Sequence, residues 1–287
     1  MNAPPHARLD VGIVGAGRVG AVLGAALARA GHRVVAASGV SDASRDRAAR
    51  LLPGVPLLPA DDVARAAGLL LLAVPDDALP DLVAGLAETG CLRPGQLVAH
   101  TSGRHGLAVL DPATRLGALP LALHPVLPFA GTEVDLARLT GACFGVTAPA
   151  VLRPVGEALV LEMGGEPVWV EDALRPLWHA ALAHGANHLV TLVASAADLL
   201  RAAGAQDPGA VLGPLLHAAL DGALRSGDAA LTGPVARGDV GTVAAHLAVL
   251  PDDVRPAYTA LARLTADRAV ASGRLRTEQA AGLLEVL

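Results

Sequence analysis

The chain has 287 residues, of which 53% are apolar and 17% charged, and its formal charge is −5. That apolar content offsets chain entropy and excludes disorder as the default, while the length suits two domains. All 22 basic residues are arginine; the acidic balance speaks against nucleic-acid or anionic-membrane partners, and no lysine is present to form a Schiff base or donate a proton.

Cys91 and Cys143 stand alone in apolar surroundings, without CxxC spacing. They read as buried, inert thiols of a chain kept in a reducing cytoplasm. The N-terminus enters an apolar strand near Leu9 with no basic stretch and no long apolar core ahead of it, so no signal peptide is expected. The longest apolar run, 66–74, is far short of a membrane span.

From Leu9 to about Val170, short apolar runs alternate with helix-like segments, the pattern of parallel strands joined by crossover helices. Strands are predicted over 10–14, 33–37, 69–74, 97–100, 117–122, 143–147 and 167–170. The first runs into Gly15-Ala16-Gly17-Arg18-Val19-Gly20, a G-x-G-x-x-G motif that opens a helix ending at Gly31. Gly15 allows the tight turn, Gly17 lets the backbone approach a pyrophosphate, and Gly20 lets helix and sheet lie close. Strand, triplet, helix, glycine stop and second strand in one short stretch predict a dinucleotide site.

Where an NAD-preferring site carries an acid at the end of the second strand, this chain has Ser38-Gly39-Val40-Ser41, followed by Arg45 and Arg47. These arginines, with Ser38 or Ser41 hydrogen-bonding it, suit a 2′-phosphate, so NADP(H) is favoured over NAD(H). Ordinary surface arginines, and Asp42 on a ribose, remain open. Later strands end in Val74-Pro75-Asp76, in Ser102-Gly103 and in His124-Pro125, at the sheet edge where such folds place functional loops.

After Glu171 strand signals stop, and the rest is Ala/Leu-rich with helical periodicity. The expected architecture is a Rossmann-type, doubly wound parallel α/β sheet over 1–171, followed by an all-α domain over 172–287. One helix is predicted over 172–203, capped by Asp172 and roughly 45 Å long. Along it His184, Asn187, His188, Thr191, Ser195 and Asp198 form a polar stripe, with His179 two turns before Asn187. These side chains supply donors for a substrate or a structural network; the His184–His188 spacing lacks a third ligand, so no metal is expected. Further on, Thr232 to Asp239 reads as a turn and a helix capped by Asp239, with Arg237 a candidate anion anchor, and His217 with Asp221 reads as a structural pair.

Several segments carry a family likeness: Ala73-Val74-Pro75-Asp76-Asp77, His100-Thr101-Ser102-Gly103, Leu123-His124-Pro125 with Phe129-Ala130-Gly131, Leu177-Trp178-His179-Ala180-Ala181, and Leu231-Thr232-Gly233-Pro234 with Arg237-Gly238-Asp239. With the glycine motif they resemble bacterial Rossmann-like proteins that carry a C-terminal domain of unknown function. That family is related to ketopantoate reductase, pyrroline-carboxylate reductase and hydroxyacid dehydrogenases of the 6-phosphogluconate type. The resemblance implies a nicotinamide cofactor across the carboxyl ends of the strands. It departs from ketopantoate reductases and hydroxyacid dehydrogenases in having no catalytic lysine.

The expected activity is NADPH-dependent reduction of a small 2-oxo acid, with ketopantoate the substrate that the resemblance suggests. In that reading Asn187 polarises the carbonyl, His179 or a water delivers the proton, Arg237 or the Ser102 loop holds the carboxylate, and His124 lines the cleft. Reduction of a cyclic imine, or a nucleotide sensor without catalysis, are the alternatives. The apolar helical half suggests a homodimer.

Overall fold

The computed structural model describes residues 8–287. Seven strands form one sheet: β1 Asp10–Val14, β2 Arg33–Ser38, β3 Leu69–Leu72, β4 Leu97–His100, β5 Leu119–Pro125, β6 Cys143–Thr147 and β7 Glu166–Trp169. Their order across the sheet is 2-1-3-4-5-6-7. Adjacent strands from β2 through β5 are parallel, joined by helices α1 Arg18–Arg29, α2 Asp42–Leu51, α3 Ala60–Ala66, α4 Leu79–Glu88 and α5 Asp111–Thr114. The Rossmann-type sheet therefore forms where the alternating pattern predicts it, with α6 Glu133–Arg138 and α7 Arg153–Glu162 completing the layers.

One departure from an all-parallel sheet positions the site. Strand β6 runs antiparallel to β5, and β7 is parallel to β6. Parallel pairing carries β5 level with β4 only as far as Ala122 opposite His100, but the reversed β6 continues it, pairing His124 with Gly145 and Pro125 with Phe144. The strand expected over 117–122 thus slides to Leu119–Pro125, because ladder hydrogen bonds from β6 keep those residues extended.

Two apolar layers sandwich the sheet. On one face Leu23, Leu27, Leu51, Leu159 and Val160 pack on Ile13, Leu121 and Phe144. On the other, Val63, Leu79, Val83, Leu86 and Leu110 pack on Leu70, Leu72 and Val98. Both faces being covered explains why β3 reads as four consecutive leucines rather than an alternation.

The helix expected over 172–203 is built in pieces: a 3-10 turn Asp172–Leu174, α8 Arg175–Leu182, a π-helical turn Ala183–Asn187 and α9 His188–Ala202. Asp172 does not cap it. Glu171 occupies the cap position, and the Asp172 carboxylate instead accepts the Leu107 backbone N–H at 2.6 Å. The wider π turn also breaks the 3.6-residue register on which the polar stripe and the two-turn spacing of His179 and Asn187 rest.

The compact units divide at Gly185/Ala186, later than the 171/172 boundary read from the sequence. The reason is local: Arg175 and Trp178 of α8 hydrogen-bond to strand ends of the first unit. The second unit contains α9, α10 Pro208–Ser226, α11 Pro234–Arg237, α12 Val240–Val249, α13 Arg255–Ala271 and α14 Thr277–Val286. Its core is Val235, Val243, Ala262, Ala266, Ala269, Leu275 and Leu283, all from α11 onward. Asp239 caps α12, as expected, accepting from the Thr242 N–H and hydroxyl. His217 and Asp221 do not pair: His217 turns to the Gly213 carbonyl and Asp221 to Arg225. No helix among the described residues is long and apolar enough to cross a membrane.

Candidate functional site

The glycine motif forms the turn its spacing requires. Gly15 has φ +96°, and a Cβ there would lie 2.5 Å from the Ala73 carbonyl oxygen. A Cβ on Gly20 would lie 2.2 Å from the Gly15 oxygen, so α1 approaches the turn as closely as backbone allows. Gly17 differs: the nearest atom to its would-be Cβ is 4.0 Å away, and as N-cap of α1 it leaves the first-turn N–H groups without a side-chain cap. A cradle closed from behind at Gly15 and Gly20 and open outward at Gly17 fits a pyrophosphate on the helix N-terminus.

Ala16 donates its N–H to the Ser38 carbonyl, and the Ser38 hydroxyl accepts the Gly15 N–H at 3.3 Å, so Ser38 holds the turn in shape. Val74 packs against Gly15, and Val19 against the core of its face. Pro75 accepts the Ala78 N–H; the Asp76 carboxylate meets Arg104 at 3.5 Å while its carbonyl binds His105. Of the two arginines after β2, Arg45 is committed, donating to the Val40 carbonyl and to Asp42. Arg47 instead reaches Gly131 in the loop after β5, which also touches Arg18. Neither Arg18 nor Arg47 has an acidic partner among the described residues.

The sheet's carboxyl edge carries a second cluster. Trp178 Nε1 donates to His124 Nδ1 at 3.2 Å, which leaves the imidazole proton on Nε2. His179 lies edge-on to His124, with ring centroids 5.7 Å apart. Gly103 fits beneath both: a Cβ there would lie 2.6 Å from His179 Cδ2 and 2.8 Å from His124 Nε2. Burial, followed by the charge of Arg175 and then His179, lowers the His124 pKa to about 4, against a weaker pull upward from Asp76. His124 is therefore a neutral imidazole at physiological pH, with Nε2–H as its donor.

Ser102 is buried and its hydroxyl accepts the His105 N–H, closing the turn that carries Gly103. Arg175 lies wholly buried below, donating to the Ser102 carbonyl at 2.5 Å and to Thr147 Oγ1 at 3.0 Å. His124, His179 and the Ser102 turn thus come together in the first unit. Asn187, closing the π turn, and Arg237, closing α11, are exposed; Arg237 lies 4.0 Å from Asp239. Sequence reasoning missed Arg175, Trp178 and Gly103 as parts of one cluster. Trp178 and Gly103 stood within quoted segments, but nothing local marks Arg175, since arginine is ordinarily a surface residue.

Residues 3–125 match the model of a Rossmann-like domain, and residues 142–265 match a domain of unknown function, DUF2520. A comparison with curated proteins finds no match. Among solved structures the fold is similar to a candidate NADP oxidoreductase from Bacteroides fragilis, with 23% identity over 91% of this chain and 98% of that one and a TM-score of 0.77. It is similar to a reductive aminase from Aspergillus terreus in complex with NADPH and ethyl levulinate (17% identity, 96% of this chain and 99% of that one, TM-score 0.65). Pyrroline carboxylate reductase from Plasmodium falciparum, with NADP bound, shares 10% identity over 96% of this chain and 98% of that one, with a TM-score of 0.59. The chain thus carries a match to a Rossmann-like domain followed by a match to a DUF2520 domain.

Proposed function

We propose that this protein is an NADP(H)-dependent reductase that converts the carbonyl of a small 2-oxo acid to an alcohol, with ketopantoate as a candidate substrate. The observation that carries the reading is a neutral His124, its tautomer pinned by Trp178, on the same carboxyl edge of the sheet as a glycine cradle fit for a dinucleotide. Gly15, Gly17 and Gly20 hold the pyrophosphate, with Ser38 shaping the turn and Arg47 beside Arg18 taking the 2′-phosphate. When bound, the nicotinamide supplies the hydride. His124 Nε2–H hydrogen-bonds the carbonyl oxygen as negative charge grows on it, and His179 passes the proton that the alkoxide takes up. A positive Arg175 nearby favours an oxyanion and disfavours a cationic iminium, so the carbonyl reading stands ahead of imine reduction. The two free cysteines suit a reducing cytoplasm, and the exposed apolar faces of α9 and α10 suit a homodimer.

The test is NADPH consumption over a panel of 2-oxo acids and cyclic imines, with NADPH affinity measured separately. His124→Ala is expected to lower turnover about a hundredfold, or ~3 kcal/mol of transition-state stabilisation, with NADPH affinity within a few fold. Full turnover in a folded His124→Ala variant would remove His124 as the donor. Preference for the imines would replace the carbonyl reading by the imine one.

A further inference from the structure

Arg175 is the largest fully buried side chain in the first unit, and its charge has no carboxylate within ion-pair distance among the described residues. Its partners are neutral oxygens: Ser102 O, Thr147 Oγ1 and, at 3.4 Å, Gly145 O. Its Nε has no partner. Burial lowers the guanidinium pKa to about 10, against the distant carboxylates of Asp172 and Asp76, so the group stays charged at neutral pH. An uncompensated buried cation is costly, and a packing role would be met better by an apolar side chain of similar size.

The hydrogen bonds explain what it holds. Gly145 is the residue paired with His124 across the β5–β6 ladder, and Thr147 is paired with Ala122. Ser102 precedes Gly103, which lies against both His124 and His179. One planar fork therefore ties the turn after β4 to the strand beside β5, directly around the imidazole.

We propose that Arg175 is a positioning residue for the donor at His124: it locks the Ser102–Gly103 turn against the ring and sets a fixed positive charge beside it that favours an oxyanion there. This rests on the reading of His124 as the donor. The groups that face His124 are Arg175, Trp178 and His179 from α8, Asp76 from the turn after β3, and His100 at the end of β4. Of these only Asp76 is acidic, and it is engaged by Arg104.

The experiment is an NMR titration of the His124 imidazole in the protein without substrate or cofactor, for wild type, Arg175→Met and Arg175→Lys, beside the pH profile of kcat/KM. Wild-type His124 is expected to titrate near 4. In Arg175→Met its midpoint should rise by about one pH unit or more, and the acid limb of the profile should move the same way. Arg175→Lys should keep the low midpoint, because the charge survives, while losing turnover, because the fork does not. An unchanged midpoint in folded Arg175→Met overturns the proposal. If that variant does not fold, a wild-type midpoint at the ordinary histidine value overturns it equally. Absence of any reductase activity would sink the functional reading but leave the titration outcome standing, so the two failures are distinguishable.

Discussion

Residues two positions apart in the helix after β2 have different tasks although the sequence offers them as equivalents. Arg45 and Arg47 are both basic and both near the second strand, yet Arg45 is spent on Asp42 and the Val40 carbonyl while Arg47 lies beside Arg18 at Gly131. Arg47→Ala should weaken NADPH binding by about 1.5–3 kcal/mol and leave NADH nearly untouched. Arg45→Ala should cost no more than roughly threefold for either, as an exposed ion pair contributes little. Calorimetric titration of both variants with both nucleotides checks this; a larger loss in Arg45→Ala sinks the assignment. The buried histidines give a second expectation. Burial and then Arg175 lower His100 to about 3 and His124 to about 4, from 6.5. Below pH 6.5 the unfolded imidazoles take up protons that the folded ones refuse, so stability is full above that pH and is lost as pH falls through about 4 for His124 and toward about 3 for His100. Urea midpoints measured across this window should decline with acidification, and should flatten in His124→Ala relative to wild type. His124, His179 and Ser102 were legible as polar residues at strand ends or on the following helix. Arg175 was not, since its burial is decided by where β6 and the Ser102 turn meet in space.

At the level of elements, six of the seven strands follow from short apolar runs bounded by turn residues, and the glycine cradle follows from spacing alone. Direction was less legible. The run at 143–147 has the same apolar content whether it pairs parallel or antiparallel, and only the chain path through α6 reverses it. The π turn was equally hidden, because Ala183 to Asn187 contains no proline and carries good helix formers at its start. The cradle itself yields a sharp expectation. Gly20→Ala places a Cβ against a backbone oxygen that cannot step aside, so α1 must lift from the turn. NADPH affinity should fall at least about tenfold and the melting temperature should drop, with overpacking costing ~1–3 kcal/mol. Gly17→Ala meets nothing nearer than 4.0 Å in the protein, so any loss there should appear in nucleotide binding and not in melting. Melting losses of equal size in both variants would count against the open and closed sides of the cradle.

Across the whole molecule, the second unit buries little of its first two helices. No residue of α9 is buried, and in α10 only Pro208 and Leu212 are, while Val190, Leu215 and Leu224 are 70%, 63% and 79% exposed. Apolar faces of this kind are those that oligomers cover, and a second copy of the chain is the expected cover. Light scattering behind size exclusion should give twice the 28.7 kDa of one chain, and Val190→Asp with Leu224→Asp should shift it toward the monomer. A monomer at all concentrations in the unaltered protein removes the dimer. The division into a sheet unit and a helical unit was visible in the periodicity, but its position was not, because α8 looks like the helices after it and is anchored by Arg175 and Trp178 to the sheet. That anchoring also makes the protein its own optical probe. It has two tryptophans, and Trp169 has Arg153 stacked over it far from His124 in the chain. With Trp169→Phe, the remaining emission comes from an indole that shares a hydrogen bond with the proposed donor, so protonation of that imidazole or arrival of a ligand beside it is readable as fluorescence without any label.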